Sequence, residues 1–252
     1  MGHDLYETER LVGEYLLFHY GKPEEILPYR FGPREALDFP ARCVHDCVDT
    51  IALPRNARAL DVGCAVGRSS FELARYCTEV IGIDYSQAFI DAANTLREQG
   101  LRDYHRTHEG HVQMRTNAAV NSAIDRQRVH FETGDACALR GDLGRFDIVL
   151  AANLICRLPR PMAFLERLPN LLNPGGQLIL TTPFTWLESF TPVENWLGGT
   201  ESTGDSFNAL RAVLKPHFEL RDSFDMPFLI RETSRKFQWT VAQASMWTRR
   251  DP

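Results

Sequence analysis

No apolar stretch in this 252-residue chain approaches the roughly 20 residues a helix needs to cross a bilayer. A basic excess is missing too: 28 Lys and Arg stand against 33 Asp and Glu, a net charge of −5 with a pI near 5.9. Affinity for a phosphate backbone rests largely on clustered cations, so this balance argues against nucleic acid and leaves a small molecule as the default partner. The opening MGHDLYETER has neither the basic start nor the apolar run of a secretory signal, and a cytoplasmic protein without membrane contact is expected. The six cysteines lie in apolar segments, and no spacing gathers four ligands for zinc: on the helix expected there, His45 points to a different face from Cys43 and Cys47. They are read as buried thiols, and no metal is expected. Internal repeats and low-complexity tracts are also absent.

What is present suits one α/β domain over residues 1–252, since 44% hydrophobic content at this length supports a full core. Apolar spacing predicts a helix over 5–20, ending at Gly21, and a second over 39–53; together residues 1–53 form a helical cap. Strands (57–62, 79–84, 128–134, 145–152, 176–182) then alternate with helices (67–76, 86–97, 161–172), the pattern of a parallel sheet covered on both faces. Residues 101–120 interrupt it as an inserted β-hairpin turning at Glu109 and Gly110. Its histidines, His105, His108 and His111, are split between faces by strand alternation, so a lid or dimer contact is the economical reading. A long aromatic connection occupies 183–203, and 218–232 with 236–250 forms an antiparallel pair at the sheet edge.

The stretch ALDVGCAVGRSSFELA (59–74) runs as a strand, breaks at glycine and resumes as a helix. Such a turn presents backbone N–H groups and a carboxylate at the carboxyl edge of a parallel sheet, where ligands bind in open α/β folds. A dinucleotide fingerprint needs G-x-G-x-x-G; here Ala65 occupies the middle and no third glycine is in register.

The pattern D-x-G-x-x-x-G, with an acidic residue closing the second strand in VIGIDYS, TGDA after the third, FDIVLAAN, and LLNPGGQLILTT, resembles the class I S-adenosylmethionine-dependent methyltransferases. The resemblance implies a Rossmann-like, mostly parallel seven-stranded sheet with an antiparallel C-terminal edge strand and helices on both faces. It implies S-adenosylmethionine as cofactor and S-adenosylhomocysteine as product. It places Asp61, Gly63, Cys64 and Gly67 in the first turn, Asp84 and Tyr85 at the ribose, and Asp135 and Ala136 at the adenine. Cys64 reads equally as a small filler and Asp84 as a turn whose Ser86 caps the next helix.

Outside those motifs, YETERLVGEYLLFHYG, FPARC, GDACAL, AANLICRLPRP and above all FTWLESFTPVENWLGG are similar to the thiohistidine N-methyltransferase domain of ovothiol biosynthesis, in its stand-alone form. This implies methylation of the imidazole nitrogen of 5-thiohistidine or 5-selenohistidine, with an upstream sulfoxide or selenoxide synthase as a partner.

Several residues are then candidates for the chemistry. His19 or Tyr20 would accept or relay a ring proton, although His19 equally caps a helix and Tyr20 packs. Asn153, ending the fourth strand at the transfer centre, would bond substrate or cofactor amine. Arg42, Arg157 and Arg231 suit a substrate carboxylate, Arg42 also that of the cofactor. Tyr6 and Tyr15 offer hydroxyl tips on a closing helix, with Tyr15 at the cofactor. Phe184 and Trp186 would wall a flat ring and attract a sulfonium, with Trp196 read as a loop anchor. Glu188 and Glu194 either receive an ammonium or face water. Two other readings stay open: another small amino-acid-like or phenolic acceptor, and a noncatalytic cofactor-binding partner of a synthase.

Overall fold

The computed structural model describes residues 4–251. Thr8 caps α1 (Glu9–Tyr20) by accepting the Leu11 N–H, and Gly21 ends it through a bond from its N–H to the Leu17 carbonyl. A short α2 (Pro23–Ile26) follows, then α3 (Phe39–His45). The helix expected over 39–53 therefore stops at 45. Asp49 accepts the N–H groups of Ile51 and Ala52, an Asx turn that competes with helix continuation.

The sheet is built from β1 (Arg58–Val62), β2 (Glu79–Asp84), β5 (Val129–Thr133), β6 (Phe146–Ala152), β7 (Leu172–Thr182), β8 (Phe218–Arg231) and β9 (Phe237–Arg249) in the order 5-2-1-6-7-9-8. Between β2 and β5, β3 (Leu101–Glu109) and β4 (Val112–Ala119) form the separate hairpin foreseen at 101–120. Pairings from β5 to β7 are parallel; β9 runs antiparallel to both β7 and β8. Strand order reverses between β1 and β6, which opens a crevice at their carboxyl ends.

Both faces of the sheet are buried, as the near-continuous apolar strands require. Ala59, Ile148 and Leu150 face a layer with α1, α3, α4 (Arg68–Leu73) and α5 (Gln87–Gln99). Leu60, Val62, Val149 and Ala151 face the other layer, which includes α6 (Pro161–Leu165), α7 (Leu168–Leu171) and α8 (Ser206–Leu214). The helix expected over 161–172 is thus two short ones: Pro169 has no N–H to continue α6, and the chain restarts with it in the first turn of α7. β7 begins at Leu172, earlier than expected, because residues 173–176 bulge out of the β6 pairing.

The inserted hairpin packs on α1. At Gly13 a Cβ would lie 2.2 Å from the His105 carbonyl oxygen, so only glycine admits this approach. Among the described residues no helix is long and apolar enough to cross a membrane.

Candidate functional site

The loop after β1 curls because Gly63, Ala65 and Gly67 all have positive φ, at 78°, 47° and 85°. For Ala65 this conformation is costly, and three hydrogen bonds hold it. Gly63 and Cys64 donate to the Ile83 carbonyl at 2.7 and 3.1 Å, and Ala65 donates to Asp84 Oδ2 at 2.8 Å. The other carboxylate oxygen of Asp84 accepts the Ser86 N–H at 2.9 Å. The Tyr85 N–H bonds the carboxylate as well, which leaves one of its four lone-pair sites for a further donor. Burial pushes the Asp84 carboxyl up to about 6, against the opposing pull of those N–H groups. Asp61, 1% exposed, accepts a 2.6 Å bond from Ser70 and is pushed up to about 7, also by burial.

These residues line a cavity of about 730 Å³, within the usual range for a small-molecule site. Gly63, Cys64, Tyr85, Asp135 and Ala136 line it as well. Asp135 caps its own turn by accepting the Cys137 N–H at 2.7 Å, and burial holds the Cys64 thiol well above the ordinary range, consistent with a filler. Asn153 enters with φ +53°; its Oδ1 accepts from Thr181, which leaves its Nδ2 without a protein partner among the described residues. Arg157 reaches the cavity beside Tyr6, bonds the Thr185 carbonyl at 2.7 Å and lies 5.3 Å over the Phe190 ring.

The N-terminal segment is drawn over this cavity by the helix it covers. Glu7 accepts the free N–H groups of Gln87 and Ala88 at the start of α5, and Ser86 donates to the Tyr6 carbonyl. Tyr6 therefore meets Tyr15, Phe89 and Phe190 with ring centroids 5.8–6.3 Å apart, and the Tyr15 ring lies tilted against Phe89 at 4.7 Å. Burial raises both tyrosine hydroxyls. His19 also lines the cavity; it is 8% exposed, burial and the Arg68 charge push it down to about 3, and its Nδ1 has no partner. It is a neutral imidazole able to exchange hydrogen bonds, and too weak a base to hold a proton at neutral pH.

Six expected site residues lie outside the cavity lining. Tyr20 donates its hydroxyl to the Val66 carbonyl at 2.8 Å and packs under Arg68, so it is no relay. Arg42 ties the cap to β8 through the Glu35 and Pro227 carbonyls and pairs with Asp46. Arg231 is spent on the carbonyls of Glu25 and Thr233. Gly67 is needed for packing, since a Cβ there would sit 2.5 Å from the Phe131 ring. Phe184 turns at φ +49° against the second layer, and Trp186 is buried, stacked on Trp196 and donating to Ser206 Oγ at 3.0 Å. The aromatic connection instead lends Pro183, Thr185, Leu187 and Phe190 to the cavity. Glu188 and Glu194 are exposed and do not line it.

Sequence reasoning missed Glu14 and Phe18 of α1 and Phe228, Ile230, Gln238 and Thr240 of the β8 and β9 pair. Glu14 carried a signal, standing three residues after Leu11 and four before Phe18 on an apolar helical stripe. The strand residues carried none, because which end of an edge hairpin leans over a crevice is decided by packing.

Residues 60–178 match the protein family described as Methyltransferase domain. A ubiquinone biosynthesis O-methyltransferase of Coxiella burnetii is 27% identical over 128 residues, 51% of this chain and 44% of that protein. The chain thus spans less than half the length of that curated relative. Among solved structures, the [4+2]-cyclase SpnF superposes with a TM-score of 0.60 over 99% of this chain and 96% of that one, at 17% identity. A putative methyltransferase from Bacillus halodurans gives 0.53 over 84% and 99%, also at 17% identity. Both share the fold, and the cyclase shows that the fold alone does not name a reaction.

Proposed function

We propose, on the premise that residues 60–178 form a class I S-adenosylmethionine-dependent methyltransferase domain, that the chain N-methylates the imidazole of 5-thiohistidine or 5-selenohistidine. The observation that carries the reading is one cavity in which the strand-end carboxylates Asp61, Asp84 and Asp135 are joined by Asn153, Arg157 and His19. The aspartates and the loop from Gly63 to Ala65 suit the cofactor, because the Asp84 carboxylate, fixed at the strand end by backbone N–H groups, keeps acceptor capacity for a ribose hydroxyl. When bound, S-adenosylmethionine supplies an electrophilic methyl on a sulfonium sulfur.

The protein's own contribution is placement. Arg157, the one Lys or Arg among the lining residues, takes the substrate carboxylate. Asn153 Nδ2 donates at the transfer centre, and the Tyr6, Tyr15, Phe89 and Phe190 cluster closes the cavity against water. Holding nucleophile and methyl near ~3–3.5 Å accounts for much of the barrier reduction such a site can offer. His19, neutral, orients the acceptor ring by a hydrogen bond and does not act as its general base. A sulfoxide or selenoxide synthase is the partner that would supply this substrate.

A phenolic acceptor is the second reading, favoured by the aromatic walls and by what the Coxiella relative is named for. Incubation with S-adenosylmethionine and a panel of histidine, 5-thiohistidine, 5-selenohistidine and a catechol, read by mass, separates the two. A methylated thio- or selenohistidine supports the first. Turnover of plain histidine at the same rate removes the chalcogen, and methylation of the catechol alone moves the assignment to the second.

A further inference from the structure

The strand ends account for three of the four carboxylates lining the cavity; the fourth, Glu14, comes from α1. It is 7% exposed and shares the cavity lining with the apolar Leu11, Phe18, Phe39, Phe228 and Ile230. A buried acid in such company is unfavourable unless something compensates it. Its protein partner is Arg10, 2.9 Å away through one oxygen, and the Arg10 side chain is 60% exposed, the kind of pair that contributes little. Burial raises the Glu14 carboxyl, with the neighbouring Glu232 adding to the rise and Arg10 and Lys236 opposing it. On the same helix, His19 lines the same cavity, and its Nδ1 is buried without a partner. The α1 wall of the cavity thus carries a buried acid that is paired through one oxygen with an exposed arginine.

We propose that Glu14 recognises a protonated nitrogen of the acceptor, so that this wall selects cationic acceptors and rejects anionic ones such as phenolates. The proposal rests on the imidazole amino-acid reading, in which the cation is the α-ammonium, since a protonated ring has no nitrogen lone pair to attack the methyl. The nitrogen donates to the Glu14 oxygen that Arg10 leaves free, and the apolar lining strengthens the pairing by excluding water. A neutral acceptor would leave the carboxylate buried without its cation, which is how the wall discriminates.

The test is calorimetry of the S-adenosylhomocysteine-loaded protein with 5-thiohistidine and with the same molecule carrying hydrogen in place of the ammonium. Glu14→Gln is the variant, checked by unchanged S-adenosylhomocysteine affinity; Glu14→Met, which suits the apolar helix face, serves if the amide fails to fold. A loss of about 10- to 100-fold for the amino acid alone assigns the contact to the ammonium, and the same loss for both ligands overturns the recognition of a cation. Unchanged affinity for both in a variant that still binds S-adenosylhomocysteine overturns the proposal. If the wild-type protein binds neither ligand, the imidazole reading falls and takes the Glu14 contact with it.

Discussion

Asp84 offers the sharpest test of the cofactor assignment because its effects on stability and on affinity separate. At neutral pH its carboxylate is ionised although its surroundings push the carboxyl from 3.8 to about 6, a cost to the folded protein of about 3 kcal/mol. The sign follows from a folded value above the unfolded one: the favourable contribution is complete below about pH 4 and is lost as pH rises through 6. Asp84→Ala removes that cost and leaves the N–H groups of Ala65 and Ser86 without their acceptor, a penalty of about 1–3 kcal/mol each. The opposing terms predict a small change in melting temperature. Affinity has no such offset, since a ribose hydroxyl loses a charged acceptor worth about 1.5–3 kcal/mol, roughly a 10- to 100-fold rise in the Kd for S-adenosylhomocysteine. Isothermal calorimetry from pH 5 to 8 measures it. In the wild type the affinity should weaken below pH 6, where Asp84 protonates, and the variant should lose this component while keeping any part due to Asp61, which sits at about 7. A folded variant with a Kd within twofold of wild type would refute the ribose assignment.

Other outcomes follow from the same contacts. Gly67→Ala places a Cβ 2.5 Å from Phe131 at φ +85° and should destabilise by more than about 1 kcal/mol in denaturant unfolding. Trp186→Phe, which removes the bond to Ser206, should cost about 1 kcal/mol of stability and leave the acceptor KM unchanged; a raised KM would return this side chain to the substrate. Tyr20→Phe should keep kcat within about twofold, because its hydroxyl is committed to the Val66 carbonyl; a loss of about 100-fold or more, the usual yield of a proton-transfer group, would restore the relay. Arg157→Gln should raise the acceptor KM about 10-fold or more in steady-state kinetics with little change in S-adenosylhomocysteine affinity, and equal loss of both would place the guanidinium at the cofactor.

The parts of the site legible from sequence are those in which a backbone conformation and its side-chain partner lie close together along one strand and turn. The turn at Gly63, the carboxylate of Asp84 and the Ser86 cap were readable because each depends on local geometry that few residue types satisfy. The hairpin at 101–120 was readable for the same reason, from its turn and its alternation. Tryptophans in a long connection carried no such constraint. Trp186 looked like a ring wall and instead joins Trp196, read from the outset as a loop anchor, since burying two indoles against each other and the second helical layer outweighs exposing them in a cavity.

By itself, the sequence determined the alternation of strands and helices, the parallel sheet and the tight turn at the end of β1. These rest on periodicity and on local conformational preference, which the chain carries at every position. Only the tertiary structure decided which arginine faces the cavity, that Tyr6, Tyr15, Phe89 and Phe190 form its cover, and that Glu14 lies buried in its wall. Those facts depend on how α1 and the β8 and β9 pair lean across the sheet edge, an outcome of packing between segments some two hundred residues apart.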